Sequence, residues 1–146
     1  RNADVLIAGD MVTDAAGSAY SEASSIWANS PVNSSYILAN GTGGRIAYVQ
    51  QNSGSSGFRA YDGTYIATVT GTPSFYNAPQ SLATTWGDAF TAYYNGAAGT
   101  PVAYSGTLGP AALSIGSFSG TQHFDGTIRE VKIFNTELTA AEVGDL

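Results

Sequence analysis

Four places in the chain set an aromatic beside an acid, an amide or an imidazole at a turn: Tyr61-Asp62, Trp86-Gly87-Asp88, Tyr93 with Asn95, and His123 with Asp125. Such pairs suit neutral sugars, whose apolar ring face stacks on Trp or Tyr while Asp or Asn accepts hydroxyl hydrogen bonds. Each also has a plainer reading. Nine tyrosines and six phenylalanines must line a core somewhere, and Asp-Gly or Asn-Gly requires only turn geometry. No cofactor is expected. If a cation were held, the ligands would be Asp62, Asp88 and Asp125, which come from separate turns and could converge on calcium, although no contiguous Asp-x-Asp-x-Asp loop exists. Asp10 and Asp14, four apart, read either as part of a calcium loop or, more simply, as a solvated acidic patch.

Catalytic sets are missing. His123 is the only imidazole and cysteine is absent, so a two-histidine metal site, a thiolate metal site and a cysteine nucleophile are all excluded within one chain. Gly116-Ser117-Phe118-Ser119-Gly120 has the glycines of a nucleophile elbow, but Phe118 stands where the serine must be. Glu130 lies between Arg129 and Lys132, which points to a local ion pair and not to a carboxylic acid with a raised pKa. The chain is therefore expected not to be an enzyme.

Charge narrows the partner further. The 146 residues carry a formal charge of −6, and only 11% of them are charged, against an average near ~25%. Arg1, Arg45, Arg59, Arg129 and Lys132 are scattered along the sequence. Nucleic acid and anionic membranes, which both need clustered basic residues, are disfavoured. No apolar run approaches the ~18 residues of a membrane span. Asn33-Ser34-Ser35 and Asn40-Gly41-Thr42 match the glycosylation acceptor pattern, at a frequency chance explains in a chain this rich in Ser and Thr. The length fits one domain over residues 1–146. Its opening on Arg1 reads as a processed product or a domain excised from something longer.

The elements that must position these residues are almost all strands. Val5-Leu6-Ile7 and Ile26-Trp27-Ala28 are short apolar runs with small polar residues between them. Tyr36–Ala39 and Arg45–Gln50 read as a hairpin around Asn40–Gly44, whose glycines permit positive φ. Phe58–Tyr61 and Tyr65–Thr70 flank Asp62-Gly63 as a second hairpin. Leu82–Trp86 leads through Gly87-Asp88 to Phe90–Tyr94, closing on Asn95-Gly96, with Phe90, Ala92 and Tyr94 on one face and Thr91, Tyr93 and Asn95 on the other. Val102–Tyr104 and Leu113–Ile115 read as a further pair before the closing strand. That closing strand carries Ile128, Val131, Ile133 and Phe134, apolar on both faces, and so is expected inside the sandwich. Thr139 and Glu142 then form a capping box, with Leu138 and Val143 placed to staple the start of one short helical turn. Turn signals about every ten residues fit an all-β sandwich.

The order of these stretches resembles the laminin G-like, or concanavalin A-like, jelly-roll superfamily from about Tyr36 to Val143. The similar stretches are Tyr36–Gly41 with Arg45-Ile46-Ala47, Gly57–Gly63, Leu82–Asp88, Phe90–Gly96, Leu113–Gly116, and Phe124–Val131 with Phe134-Asn135 and Leu138. The resemblance implies a two-sheet antiparallel jelly-roll sandwich with one C-terminal helical turn. Where the family's usual Trp would open the Leu82 strand, Ala78-Pro79 stands instead, and the residues before Pro31 do not match. Hydrolases of this fold usually carry Glu-x-Asp-x-x-Glu along one strand, and no such run exists here. The expectation is a non-catalytic recognition module binding a glycan or cell-surface receptor, extracellular or on a virion, as in a phage fibre or decoration protein. Its alternative is an assembly module that contacts its own copies or neighbouring capsid, tail or matrix proteins without a sugar site.

Overall fold

The computed structural model describes residues 6–8, 11–13, 15–25, 34–41, 43–52, 55–70, 78–109, 112–118 and 122–146. In chain order the strands are β1 (Leu6–Ala8), β2 (Gly17–Ser25), β3 (Ser34–Asn40), β4 (Arg45–Asn52), β5 (Ser55–Tyr61), β6 (Ile66–Thr70) and β7 (Gln80–Trp86). They continue as β8 (Thr91–Tyr94), β9 (Ala97–Ala98), β10 (Leu113–Ile115), β11 (Ser117–Phe118), β12 (Gln122–His123) and β13 (Gly126–Phe134), and end on helix α1 (Ala140–Gly144). One sheet runs β1-β10-β3-β4-β5-β6 and the other β13-β2-β7-β8-β9, both antiparallel, while β11 and β12 form a separate hairpin. The expected two-sheet sandwich is what forms.

The hairpins read from Gly, Asp and Asn signals are all present: β3-β4, β5-β6 and β7-β8. Asn95-Gly96 turns β8 into β9 with both residues at positive φ, 49° and 76°, as the tightest hairpin turn requires. Helix α1 also starts as the sequence indicates, for the Thr139 side chain accepts from the Glu142 N–H and the Glu142 carboxylate accepts from the Thr139 N–H at 2.7 Å. Buried Val143 and half-buried Leu138 pack in one apolar cluster, which is the expected staple.

Three expectations are corrected. The residues between Val5-Leu6-Ile7 and Ile26-Trp27-Ala28 contain β2, which pairs with both β13 and β7. Its inward residues are Ala19, Ser21 and Ala23, all buried and too small to register as an apolar stripe. Val102 makes only a bridge to Phe90, and Leu113–Ile115 joins the opposite sheet between β1 and β3, so the two do not pair. Among the described residues β13 is an edge strand, with β2 as its one neighbour, and not an interior one. Its apolar residues still serve two faces. Ile128, Val131 and Ile133 pack on the sandwich core, while Phe134 packs on the outside beneath α1. Ile26-Trp27-Ala28, Asp10, Asp14 and Asn33 lie outside the described residues. Asn40 is buried and its amide donates to the Leu108 carbonyl, so it is not a glycosylation acceptor in the folded chain.

The core between the sheets joins Ile37, Leu38, Ile46, Ala47, Phe58 and Ala60 on one side to Ala19, Ala23, Leu82, Trp86, Phe90 and Ala92 on the other. Two bulges break the alternation. In β3 the register slips between Tyr36 and Leu38, so Ile37 and Leu38 both enter the core. In β4 it slips between Arg45 and Tyr48, so Ile46 and Ala47 both enter it. The hydroxyl of buried Thr84 donates to the Ile46 carbonyl at 2.6 Å from the facing sheet, supplying a donor inside the bulged segment.

Candidate functional site

Of the four aromatic-plus-polar turns, those at Asp62 and Asn95 commit their polar side chains to the fold and Trp86 is buried, while Asp88 and Asp125 are exposed. Asp62 is fully buried, and its carboxylate accepts from the N–H groups of Thr64 (2.8 Å), Tyr65 (2.6 Å) and Ser105 (2.7 Å). Those bonds pin the β5-β6 turn to the segment after Val102, leaving the carboxylate committed internally. Trp86 is 0% exposed and its indole N–H donates to the Thr13 carbonyl at 2.8 Å, so it has no ring face to offer a ligand. Its ring lies against Gly17, where a Cβ would come within 2.4 Å of it. Asp88 is exposed, and its N–H donates to the Glu137 carboxylate at 2.8 Å.

Tyr93 is buried on the outer face of β8 with Tyr20, Ala83 and Val143. Asn95 is the left-handed turn residue, and its amide accepts from the Ser81 N–H (2.9 Å) and donates to Gln80 (2.6 Å). His123 is half-buried on β12 opposite Ser117, and among the described residues neither its Nδ1 nor the Ser117 hydroxyl has a hydrogen-bond partner. Asp125 is exposed, and its main-chain carbonyl accepts from the Ser25 hydroxyl at 3.2 Å.

Among the described residues no group of three or more His, Asp or Glu side chains is placed to hold a metal ion. Asp62, Asp88 and Asp125 therefore do not fit a shared calcium, and Asp62 would have to abandon three main-chain donors to join one.

A different set converges, on the outer face of the six-stranded sheet, and the bulges put it there. Arg45 and Tyr48 are three apart, an odd spacing that regular strand alternation would send to opposite faces. Because Ile46 and Ala47 both turn inward, Arg45 and Tyr48 emerge together on the outside. Across the ladder Arg45 faces Tyr61 and Tyr48 faces Arg59, so cation and phenol alternate on a two-by-two grid. The β3 bulge brings Tyr36 opposite Tyr48, where the rings stack at 5.4 Å with 17° between their planes. Phe118 from the β11-β12 hairpin stacks on Tyr36 in turn, at 5.2 Å.

Tyr36 and Tyr48 form a buried floor, and Arg45, Arg59, Tyr61 and Phe118 form a half-buried layer above it. The Arg45 guanidinium carbon lies 4.9 Å from the Phe118 ring centre, 5.1 Å from Tyr61 and 5.8 Å from Tyr36. Among the described residues no carboxylate is within ion-pair distance of Arg45, and its Nε has no hydrogen-bond acceptor. Among the described residues its charge is met by ring faces. Burial raises the Tyr48 phenol above its usual 10.0, against the pull of Arg59, which also hydrogen-bonds it, and of Arg45. The two arginines and three tyrosines of this face were legible as strand residues, whereas Phe118 was not. The bulges, which leave no sequence mark here, bring Arg45, Tyr48 and Tyr36 together, and Tyr61 alone stood among the expected site residues.

Comparison with known proteins places this architecture. The family described as the concanavalin A-like lectin/glucanases superfamily matches residues 6–144. No curated protein sequence matches the chain. Among solved structures, the sialidase of Trypanosoma rangeli superposes with a TM-score of 0.68 at 12% identity over 90% of this chain, which spans 22% of the sialidase. Domain 4 of AbnA, an extracellular arabinanase from Geobacillus stearothermophilus, in complex with arabinotriose, gives 0.65 at 15% identity over 97% of this chain and 71% of that one. The CBM40 of a Ruminococcus gnavus sialidase, bound to α2,3-sialyllactose, gives 0.63 at 16% identity over 90% of this chain and 83% of that one.

Proposed function

Since this chain belongs to the concanavalin A-like lectin/glucanases superfamily, we propose that it is a non-catalytic module that binds glycan through the outer face of its six-stranded sheet. The observation that carries this reading is the tyrosine floor under Arg45, Arg59, Tyr61 and Phe118, which combines flat apolar surface with hydrogen-bond donors. Two of its structural neighbours were solved with sugars bound, arabinotriose and sialyllactose, which supports the same use of the fold here. Non-catalytic action fits the employment of the acids. Asp62 closes a turn, Glu142 caps a helix, and Glu22 and Glu130 pair with Arg129 (2.6 Å) and Lys132 (3.3 Å). A glycosidase would need two carboxylates facing one bond. The setting we propose is extracellular, with a virion fibre or decoration assembly as one such place.

The test is an immobilised-glycan array probed with the isolated chain, repeated with an Arg45→Ala/Tyr61→Ala variant. Saturable binding to at least one glycan, lost in that variant and kept in Asp88→Ala, is the expected result. No binding to any glycan, together with a discrete oligomer by light scattering, would favour the assembly reading. Shortening of an oligosaccharide over time would contradict the non-catalytic one.

A further inference from the structure

Arg45 sets the ligand chemistry more narrowly. A guanidinium that is half-buried on three rings, with one nitrogen lacking any acceptor and no carboxylate in reach among the described residues, has an electrostatic partner missing. Elsewhere on the molecule the exposed Arg129 and the half-buried Lys132 each have their own acid. Diagonal to Arg45 across the ladder, Arg59 adds a second positive charge to the same face, beside Tyr48. The chain as a whole is acidic, with a net charge of −6, and so repels long polyanions. What one planar guanidinium on an aromatic floor accepts well is a single planar anion attached to a ring, since the fork of N–H donors matches a carboxylate and the tyrosine or phenylalanine edge meets the sugar.

Resting on the glycan-binding reading above, we infer that the outer face of the six-stranded sheet is specific for a sugar bearing a carboxylate, a uronic or nonulosonic acid, with Arg45 as the anion contact. Such a ligand supplies the acceptor that Arg45 lacks. Arg45→Lys keeps the charge and loses the fork, and so is expected to restore only part of the binding.

The experiment is calorimetric titration of the chain with 3′-sialyllactose, a glucuronate-terminated disaccharide, sulfated lactose and lactose, and with the methyl ester of whichever acid binds. At least one carboxylated sugar is expected to bind about tenfold or more tightly than lactose and than its own ester. Arg45→Gln should remove that difference, whereas Arg129→Gln should not. The ester comparison uses unaltered protein, so it decides the matter even if Arg45→Gln folds poorly. Equal affinity for acid and ester, or binding of the sulfated sugar without either carboxylated one, overturns the inference. Binding of lactose or other neutral sugars with no charge effect overturns it while leaving the glycan reading intact, and failure of every sugar overturns both.

Discussion

The outer faces of the two sheets are built from the same side-chain types and are finished differently. On the five-stranded sheet, Tyr20, Tyr93, Ala83 and Phe134 cluster with Leu138 and with Val143 of helix α1, and Lys132 sits 5.2 Å above the Tyr20 ring while bonded to Glu130. Apolar area is closed by a helix and charge is closed by acids. On the six-stranded sheet, Tyr36 and Tyr48 form the floor, a two-residue strand pair contributes Phe118, and the Arg45 charge is left to the rings. Tyrosine and a cation alone therefore do not decide how an outer face is finished. The difference lies in whether the fold itself supplies their counterparts.

The largest expected effect comes from the layer beneath both faces. Trp86→Ala empties the centre of the shared core and should cost about 3–5 kcal/mol in urea unfolding, with both faces lost in one transition. Two separate transitions would mean that the faces are independent units. Val143→Ala acts on the closed face alone, where it should lower stability by about 2 kcal/mol and leave glycan affinity unchanged. A matching fall in affinity would show that the two faces are coupled.

Thr139→Ala removes the cap of α1 and should cost about 1 kcal/mol near neutral pH. The bonds from the Thr139 N–H and hydroxyl hold the Glu142 carboxyl below its usual 4.5. The stability that carboxylate contributes is present above its unfolded value and lost as pH falls through the depressed folded one. The gap between the wild type and Thr139→Ala should accordingly narrow on acidification, and a constant gap would remove Glu142 from the cap. The smallest change is spectroscopic. Tyr48 should ionise above 10.0, and its contribution, present below that pH, should fade as pH rises through the folded value. Arg59→Gln should push the ionisation of Tyr48 higher still, as followed in the tyrosinate absorbance, because it removes the foremost opposing charge.

How far the sequence reached follows from what each feature leaves in it. Asp62-Gly63, Asn95-Gly96 and the Thr139–Glu142 box depend on contacts within a few residues, so their chemistry is local and their hairpins and cap were legible. The same locality gives two of the aromatic-plus-polar turns a structural use. Asp62 and Asn95 spend their polar atoms on the turns that made them visible. Strand β2 was missed because a centre strand flanked on both sides can use Ala19, Ser21 and Ala23 where the sheets approach closely. The outer-face cluster was hidden by register. Ile46-Ala47 reads as one inward and one outward residue until the bulge, a tertiary decision, turns both inward and brings Arg45 round beside Tyr48.

The most direct test of the ligand face is nuclear magnetic resonance of the chain during titration with 3′-sialyllactose, following the arginine Nε–H and aromatic ring signals together. Shifts concentrated on Arg45, Tyr61 and Phe118, with Tyr20 and Tyr93 still, are the expected result. Shifts confined to the Asp88, Asn95 and Asp125 turns or to the α1 side, with Arg45 unmoved by a bound sugar, would contradict it.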